Sequence, residues 1–186
     1  DNIYLNGRYS NSPDFDPSNN TATVSNLSNN KTDIFFAKYD SSGNYLWAKG
    51  LPISNSPSGR GLDIDAVGNV YVTMSFSDVT LDADPGSGTA NLSSGGYDFM
   101  FGKYSSSGNY IWAKKIGASG FGTTDIARDI SVNSTGDIFL VGSVIGTIDF
   151  DPGDSTRNLV TSGNYGGGFL AKYNQSPQVT SVTSTT

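Results

Sequence analysis

Three short acidic runs are the residues of this sequence best suited to chemistry. Asp14-Phe15-Asp16-Pro17 returns as Asp82-Ala83-Asp84-Pro85 and again as Asp149-Phe150-Asp151-Pro152. In an extended segment, alternation puts the two carboxylates of each run on one side and the intervening residue on the other. Paired carboxylates beside a turn offer hard oxygens to Ca²⁺, which takes six to eight of them. Asp14, Asp16, Asp82, Asp84, Asp149 and Asp151 are therefore the candidate metal ligands, and Ca²⁺ the candidate cofactor. The same pattern also suits a plain turn. Asp accepts main-chain hydrogen bonds, Pro fixes φ at the next position, and Gly86 or Gly153 follows. The spacing does not match a helix–loop–helix Ca²⁺ motif.

Two carboxylates are also the equipment of a glycosidase. Three copies argue against that chemistry, because catalysis needs one asymmetric site whereas repetition suits structure or multivalent binding. The chain has no histidine and no cysteine. That removes the commonest general base, His-dependent triads and thiolate sites. No catalytic residue is assigned, and the chain reads as a non-enzyme whose ligand-binding residues are undefined.

The elements that hold these runs repeat with them. The runs lie 68 and 67 residues apart, and Lys38, Lys103 and Lys172 are separated by 65 and 69. Asn2-Ile3-Tyr4-Leu5 returns as Asn69-Val70-Tyr71-Val72 and as Asp137-Ile138-Phe139-Leu140. The middle copy has four β-type stretches at 60–65, 70–76, 97–104 and 110–115. They are rich in β-branched and aromatic residues and are punctuated by Gly-Asn or Gly-Asp, the residues that tight hairpins need. No stretch sustains a helical apolar period. The expected fold is all-β, with blades of four antiparallel strands of the β-propeller type, about three repeats, and incomplete first and last blades. The expected division is a partial blade at 1–52, a blade at 53–117, a partial blade at 118–174, and a linker or the start of a following β-sandwich repeat at 175–186. The acidic runs occupy an insertion between the second and third strands.

Three further features repeat or stand apart. Trp47 and Trp112 sit at matching places in the fourth strand, where packing between neighbouring blades is favoured over stacking on a sugar. The recurring lysines read as face charges. The outermost sheets, lacking strands, present edges that template another strand. The segment 179–185 is expected to supply a missing strand, in its own last blade or in that of a neighbour.

Gly68-Asn69-Val70-Tyr71-Val72-Thr73, the stretch Asp33 to Asp40 and the stretch Gly43 to Lys49 together resemble the bacterial SBBP-type β-propeller repeats. The resemblance covers about nine tenths of the chain. It implies a propeller and a secreted or cell-surface location, and no single activity. The tail from Pro177 to Thr186 is similar to the opening of an Ig-like repeat of giant surface adhesins. That would make the parent a long, multi-domain surface or filament-forming protein.

The remaining composition limits the partners. With 11 Lys and Arg against 17 Asp and Glu, the net charge is −6, which does not suit nucleic acid or an anionic membrane surface. No apolar run approaches the roughly 20 residues of a membrane helix. The expected partners are sibling subunits or neighbouring domains of the same protein, with glycans as a second class. The expected function is extracellular, structural or adhesive, with assembly by strand complementation between chains. The alternative is a carbohydrate-binding module or a glycan-active enzyme using one Asp pair.

Overall fold

A computed structural model of the chain describes residues 1–25, 32–53, 58–77, 79–118, 124–161 and 166–185. Among the described residues there are strands and turns and no helix. β1 (Ile3–Ser10), β2 (Thr32–Tyr39) and β3 (Tyr45–Leu51) form a three-stranded sheet in chain order. β4 (Ser58–Ile64) and β5 (Val70–Ser77) are followed by a short hairpin, β6 (Thr80–Asp82) with β7 (Asn91–Ser93). β8 (Tyr97–Tyr104) and β9 (Tyr110–Ile116) then complete a second sheet, ordered β4-β5-β8-β9. The third passage repeats the second: β10 (Ile126–Val132), β11 (Ile138–Val144), the hairpin β12 (Thr147–Asp149) with β13 (Asn158–Val160), β14 (Gly167–Tyr173) and β15 (Val179–Thr185). Its sheet is ordered β10-β11-β14-β15, and every pairing within the three sheets is antiparallel.

The turns explain why the strands stop where they do. Asp40 to Asn44, Asp65 to Asn69, Ser105 to Asn109 and Asn133 to Asp137 are the same five-residue turn. In each, the first residue's N–H donates to the fifth residue's carbonyl, and the fourth residue's N–H donates to the first residue's carbonyl. The fourth residue is Gly43, Gly68, Gly108 or Gly136, all with φ between +76° and +84°. Only glycine reaches that region without cost, which fixes the register of each hairpin. The first side chain closes the turn: Asp40 Oδ1, for instance, accepts from the N–H groups of Ser42 and Asn44 at 2.8 and 2.9 Å.

β15 pairs with β14 of its own chain, so residues 179–185 give the third sheet a fourth strand that the fourth-strand motif of the other copies does not announce. Its turn runs from Asn174 to Gln178 and keeps the main-chain bond from Asn174 N–H to Gln178 O at 3.0 Å. Asn174 Oδ1 accepts from Ser176 and Gln178 N–H at 2.9 and 3.1 Å. Pro177 stands where the other turns have glycine, and it has neither the N–H nor the positive φ.

The sheets pack face to face. β1 lies against β4, and β10 lies against β4 and β5. All eight residues of β5 are buried. One of its faces, Val70, Val72, Met74 and Phe76, joins Met100 and Tyr104 in a core with Ile34, Phe36 and Leu51 of the first sheet and with Ile53 just beyond it. Its other face contributes Tyr71, beside Phe99 and Phe101, to a second core with Ile138, Leu140, Phe169, Ala171 and Tyr173 of the third sheet. A strand covered on both sides needs no alternation, and β5 has little.

Candidate functional site

Each acidic run is built the same way. The first carboxylate closes a loop by accepting two main-chain N–H groups on Oδ1. Asp14 takes those of Asp16 and Ala22 at 3.0 and 2.8 Å, and Asp82 those of Asp84 and Ala90 at 3.0 and 2.8 Å. Asp149 takes those of Asp151 and Arg157 at 2.9 and 2.7 Å. The second carboxylate accepts the N–H two residues on: Asp16 from Ser18, Asp84 from Gly86 and Asp151 from Gly153, at 2.9, 2.7 and 2.8 Å. The intervening residue ties the two arms of the loop, with Phe15 N–H donating to Ala22 O, Ala83 to Ala90 O and Phe150 to Arg157 O. These main-chain bonds hold the Asp14 carboxyl below its ordinary range.

In the second and third runs the intervening residue faces the core, and in the first Phe15 is half-buried. Ala83 and Phe150 are fully buried, while the aspartates beside them keep solvent contact. Phe15 packs on Phe35 with ring centroids 4.7 Å apart, and Phe150 on Phe169 at 4.9 Å.

A residue that sequence reasoning passed over anchors each run to its sheet. The tyrosine ending β2, β8 or β14 donates its hydroxyl to the carbonyl of the intervening residue. Tyr39 reaches Phe15 O at 2.9 Å, Tyr104 reaches Ala83 O at 2.9 Å, and Tyr173 reaches Phe150 O at 3.0 Å. Burial pushes the Tyr104 and Tyr173 phenols far up, so both remain protonated donors at any physiological pH. The sequence signal was available: each tyrosine follows a recurring lysine and lies 24, 21 or 23 residues beyond the carbonyl it meets.

The lysines themselves sit over aromatic rings, Lys38 on Tyr4, Lys103 on Tyr71 and Lys172 on Phe139, at 5.2, 5.0 and 5.6 Å from the centroids. Lys103 pairs with Asp65 at 3.3 Å and Lys172 with Asp137 at 2.8 Å. The two acids occupy opposite ends of equivalent turns, Asp65…Asn69 against Asn133…Asp137, and in each the amide side chain donates to the acid. Burial raises the Asp65 carboxyl, but the bonds from Asn69 and Lys103 outweigh it and the net shift is downward. Lys172 is the main cause of the downward shift at Asp137.

Both tryptophans are packing residues. Trp47 meets Phe36 edge-on at 5.7 Å, and its Nε1–H donates to Ser106 O in the next sheet at 3.1 Å. Trp112 meets Phe101 at 5.6 Å and Tyr71 at 6.3 Å.

Among the described residues, no group of three or more acidic side chains is placed to hold a metal ion. Asp14 with Asp16, Asp82 with Asp84, and Asp149 with Asp151 stay in three separate loops. A cation at any of them would have one carboxylate pair plus main-chain and water oxygens. The first and third runs border shallow polar clefts of about 500 and 410 Å³. Asp16, Asn20, Asn44 and Tyr45 line the former. Lys114 of the second sheet reaches the latter beside Asp151.

No protein-family model matches the sequence, and the search of curated proteins finds no match.

Proposed function

We propose that this chain is a non-enzymatic structural or adhesive module of a secreted or cell-surface protein, made of consecutive β-propeller-type blades. The observation that carries this reading is the triple construction of the acidic runs. The Oδ1 of each first Asp, the carbonyl of each intervening residue and the hydroxyl of each clamping Tyr do the same work in all three copies. Residues reused in this way build a scaffold, whereas a catalytic centre differs from its surroundings. The resemblance to SBBP-type repeats, which rests on the same recurring stretches, agrees with an extracellular array. On this reading Ca²⁺, if taken up at the runs, would reinforce turns already closed by main-chain bonds.

Strand complementation has a defined place in such an array. An incoming strand would add beside β1, an edge strand whose counterparts β5 and β11 pair with β4 and β10. Glycan binding is the second reading, favoured by the cleft where Tyr45 offers a ring beside Asp16, Asn20 and Asn44. A glycan array followed by incubation with any sugar found tests both. A scaffold or adhesin leaves a bound glycan intact, and cleavage refutes the non-enzymatic reading.

A further inference from the structure

The middle sheet shows what each face of this repeat requires, because both of its faces are covered. Val70 and Val72 are sealed under the first sheet, and Thr73 and Phe101 on the opposite face are equally inaccessible, all at 0 % exposure. The first sheet carries Ile3 and Leu5 at the positions of Val70 and Val72, and they are 43 % and 47 % exposed. The third sheet carries Val141 and Leu170 at the positions of Thr73 and Phe101, and they are 41 % and 46 % exposed. Around Val141 and Leu170 lies an open, mainly apolar groove of about 470 Å³, floored by Gly142 and Gly168. Large aliphatic side chains thus occupy, in water, positions that the same repeat elsewhere buries.

We propose that these two faces bind each other between chains: the outer face of the third sheet receives the outer face of the first sheet of a second copy. The inference rests on reading the three sheets as successive copies of one stacked unit. The occupant is argued from the two junctions already made within the chain. In both, the back of one sheet meets the front of the next, and an aromatic of β2 or β8 lies on the clamping tyrosine ahead of it. Phe36 meets Tyr104 with centroids 4.5 Å apart, and Phe101 meets Tyr173 at 4.7 Å. The exposed faces are the two unmatched halves of a third such junction, in which Leu170 meets the Tyr39 of a second copy. One position of it differs: Thr183 lies opposite Leu170, where Lys49 and Lys114 lie opposite Phe36 and Phe101. Because the front and back faces differ, the contact is head to tail and gives either a closed ring, two copies sufficing for a six-bladed one, or an open filament.

Sedimentation velocity on the full chain tests this with Leu5→Glu, which blocks the front, and Leu170→Glu, which blocks the back. Both sites are exposed, so each variant is expected to melt within a few degrees of the wild type. Ile3→Glu and Val141→Glu replace either one that does not. Over about 1 µM to 1 mM, a range that reaches interactions as weak as about −4 kcal/mol, the wild type should self-associate, stopping at a dimer if two copies close a ring and growing further if they do not. Each variant alone should stay monomeric. Their equimolar mixture should form dimers and nothing larger, because one partner has only a working back and the other only a working front. A wild type that stays monomeric throughout, a single variant that still dimerises, or a mixture that stays monomeric overturns the proposal. The stacked-unit reading is judged separately by Phe36→Ala in the monomer, which removes a fully buried ring from the junction between the first and second sheets: if that change leaves stability untouched, the internal reading fails whatever the assembly state.

Discussion

Replacing Asp82 distinguishes a turn from a metal site, because alanine and asparagine act differently on the two. Asp82 Oδ1 accepts two N–H groups, from Asp84 at 3.0 Å and Ala90 at 2.8 Å. Hydrogen bonds to a charged acceptor contribute about 1.5–3 kcal/mol each when fully shielded. Here the loop is half-exposed, so water takes over part of the work, and loss of a helix-cap aspartate, costing about 0.5–2 kcal/mol, is the closer comparison. Asp82→Ala should therefore cost about 2 kcal/mol. In a chain of this size that lowers Tm by roughly 4–8 °C. Asp82→Asn keeps an oxygen at the same place and loses only the charge, so its cost should stay under about 1 kcal/mol. Thermal unfolding in EDTA and in millimolar Ca²⁺ reads both numbers. A site occupied at 100 times its dissociation constant would add about 2.7 kcal/mol to the wild type. The turn account is refuted if Ca²⁺ raises the wild-type Tm by that amount while both variants, asparagine included, lose the response.

Tyr104→Phe leaves the fully buried Ala83 carbonyl without its donor and should cost about 1–3 kcal/mol by urea unfolding. Tyr39→Phe should cost less, since Tyr39 and Phe15 are both half-exposed. Trp112→Ala removes a partly buried ring that meets Phe101 and Tyr71, and should cost roughly 2–3 kcal/mol, below the 3–5 of a fully enclosed aromatic. A Trp112→Ala variant as stable as the wild type would release that residue for ligand contact. Asp137 titrates below its ordinary value because of Lys172. A depressed carboxyl stabilises the fold above its unfolded pKa, and that contribution is lost as pH falls through the lower folded value. Unfolding free energies measured from pH 5 down to pH 2.5 should fall less steeply in Asp137→Asn than in the wild type, and parallel curves would contradict the pairing.

The strands and their turns were legible because glycine marks them. Gly43, Gly68, Gly108 and Gly136 each occupy a backbone region that no other residue reaches cheaply, so the punctuation is written in the sequence. β15 was harder to place because Pro177 replaces that glycine, and the cap from Asn174 is recognisable only once the strand is paired. The acidic runs were visible, but their role was not, since two carboxylates look alike whether they hold a cation or a pair of N–H groups. The N–H groups that each first Asp holds, from Ala22, Ala90 and Arg157, all lie eight residues further on, a separation that no local turn rule points to. The lysine ion pairs were concealed by an exchange of positions. Asp65…Asn69 and Asn133…Asp137 keep one acid and one amide but swap their ends, so neither end of the turn is acidic in both copies. The tyrosine clamps were hidden by chemistry, because a tyrosine at a strand end reads as core and its hydroxyl partner lies in a distant insertion.

The claim at the centre of this account is that the repeated carboxylates hold loops and do no chemistry. Incubating the full chain with a panel of polysaccharides and measuring new reducing ends tests it most directly, with Asp14→Asn, Asp82→Asn and Asp149→Asn alongside. The account expects no release above a heat-denatured control for the wild type or any variant. Release by the wild type that one substitution abolishes while its two counterparts leave it intact would contradict it, because one copy would then be an active site.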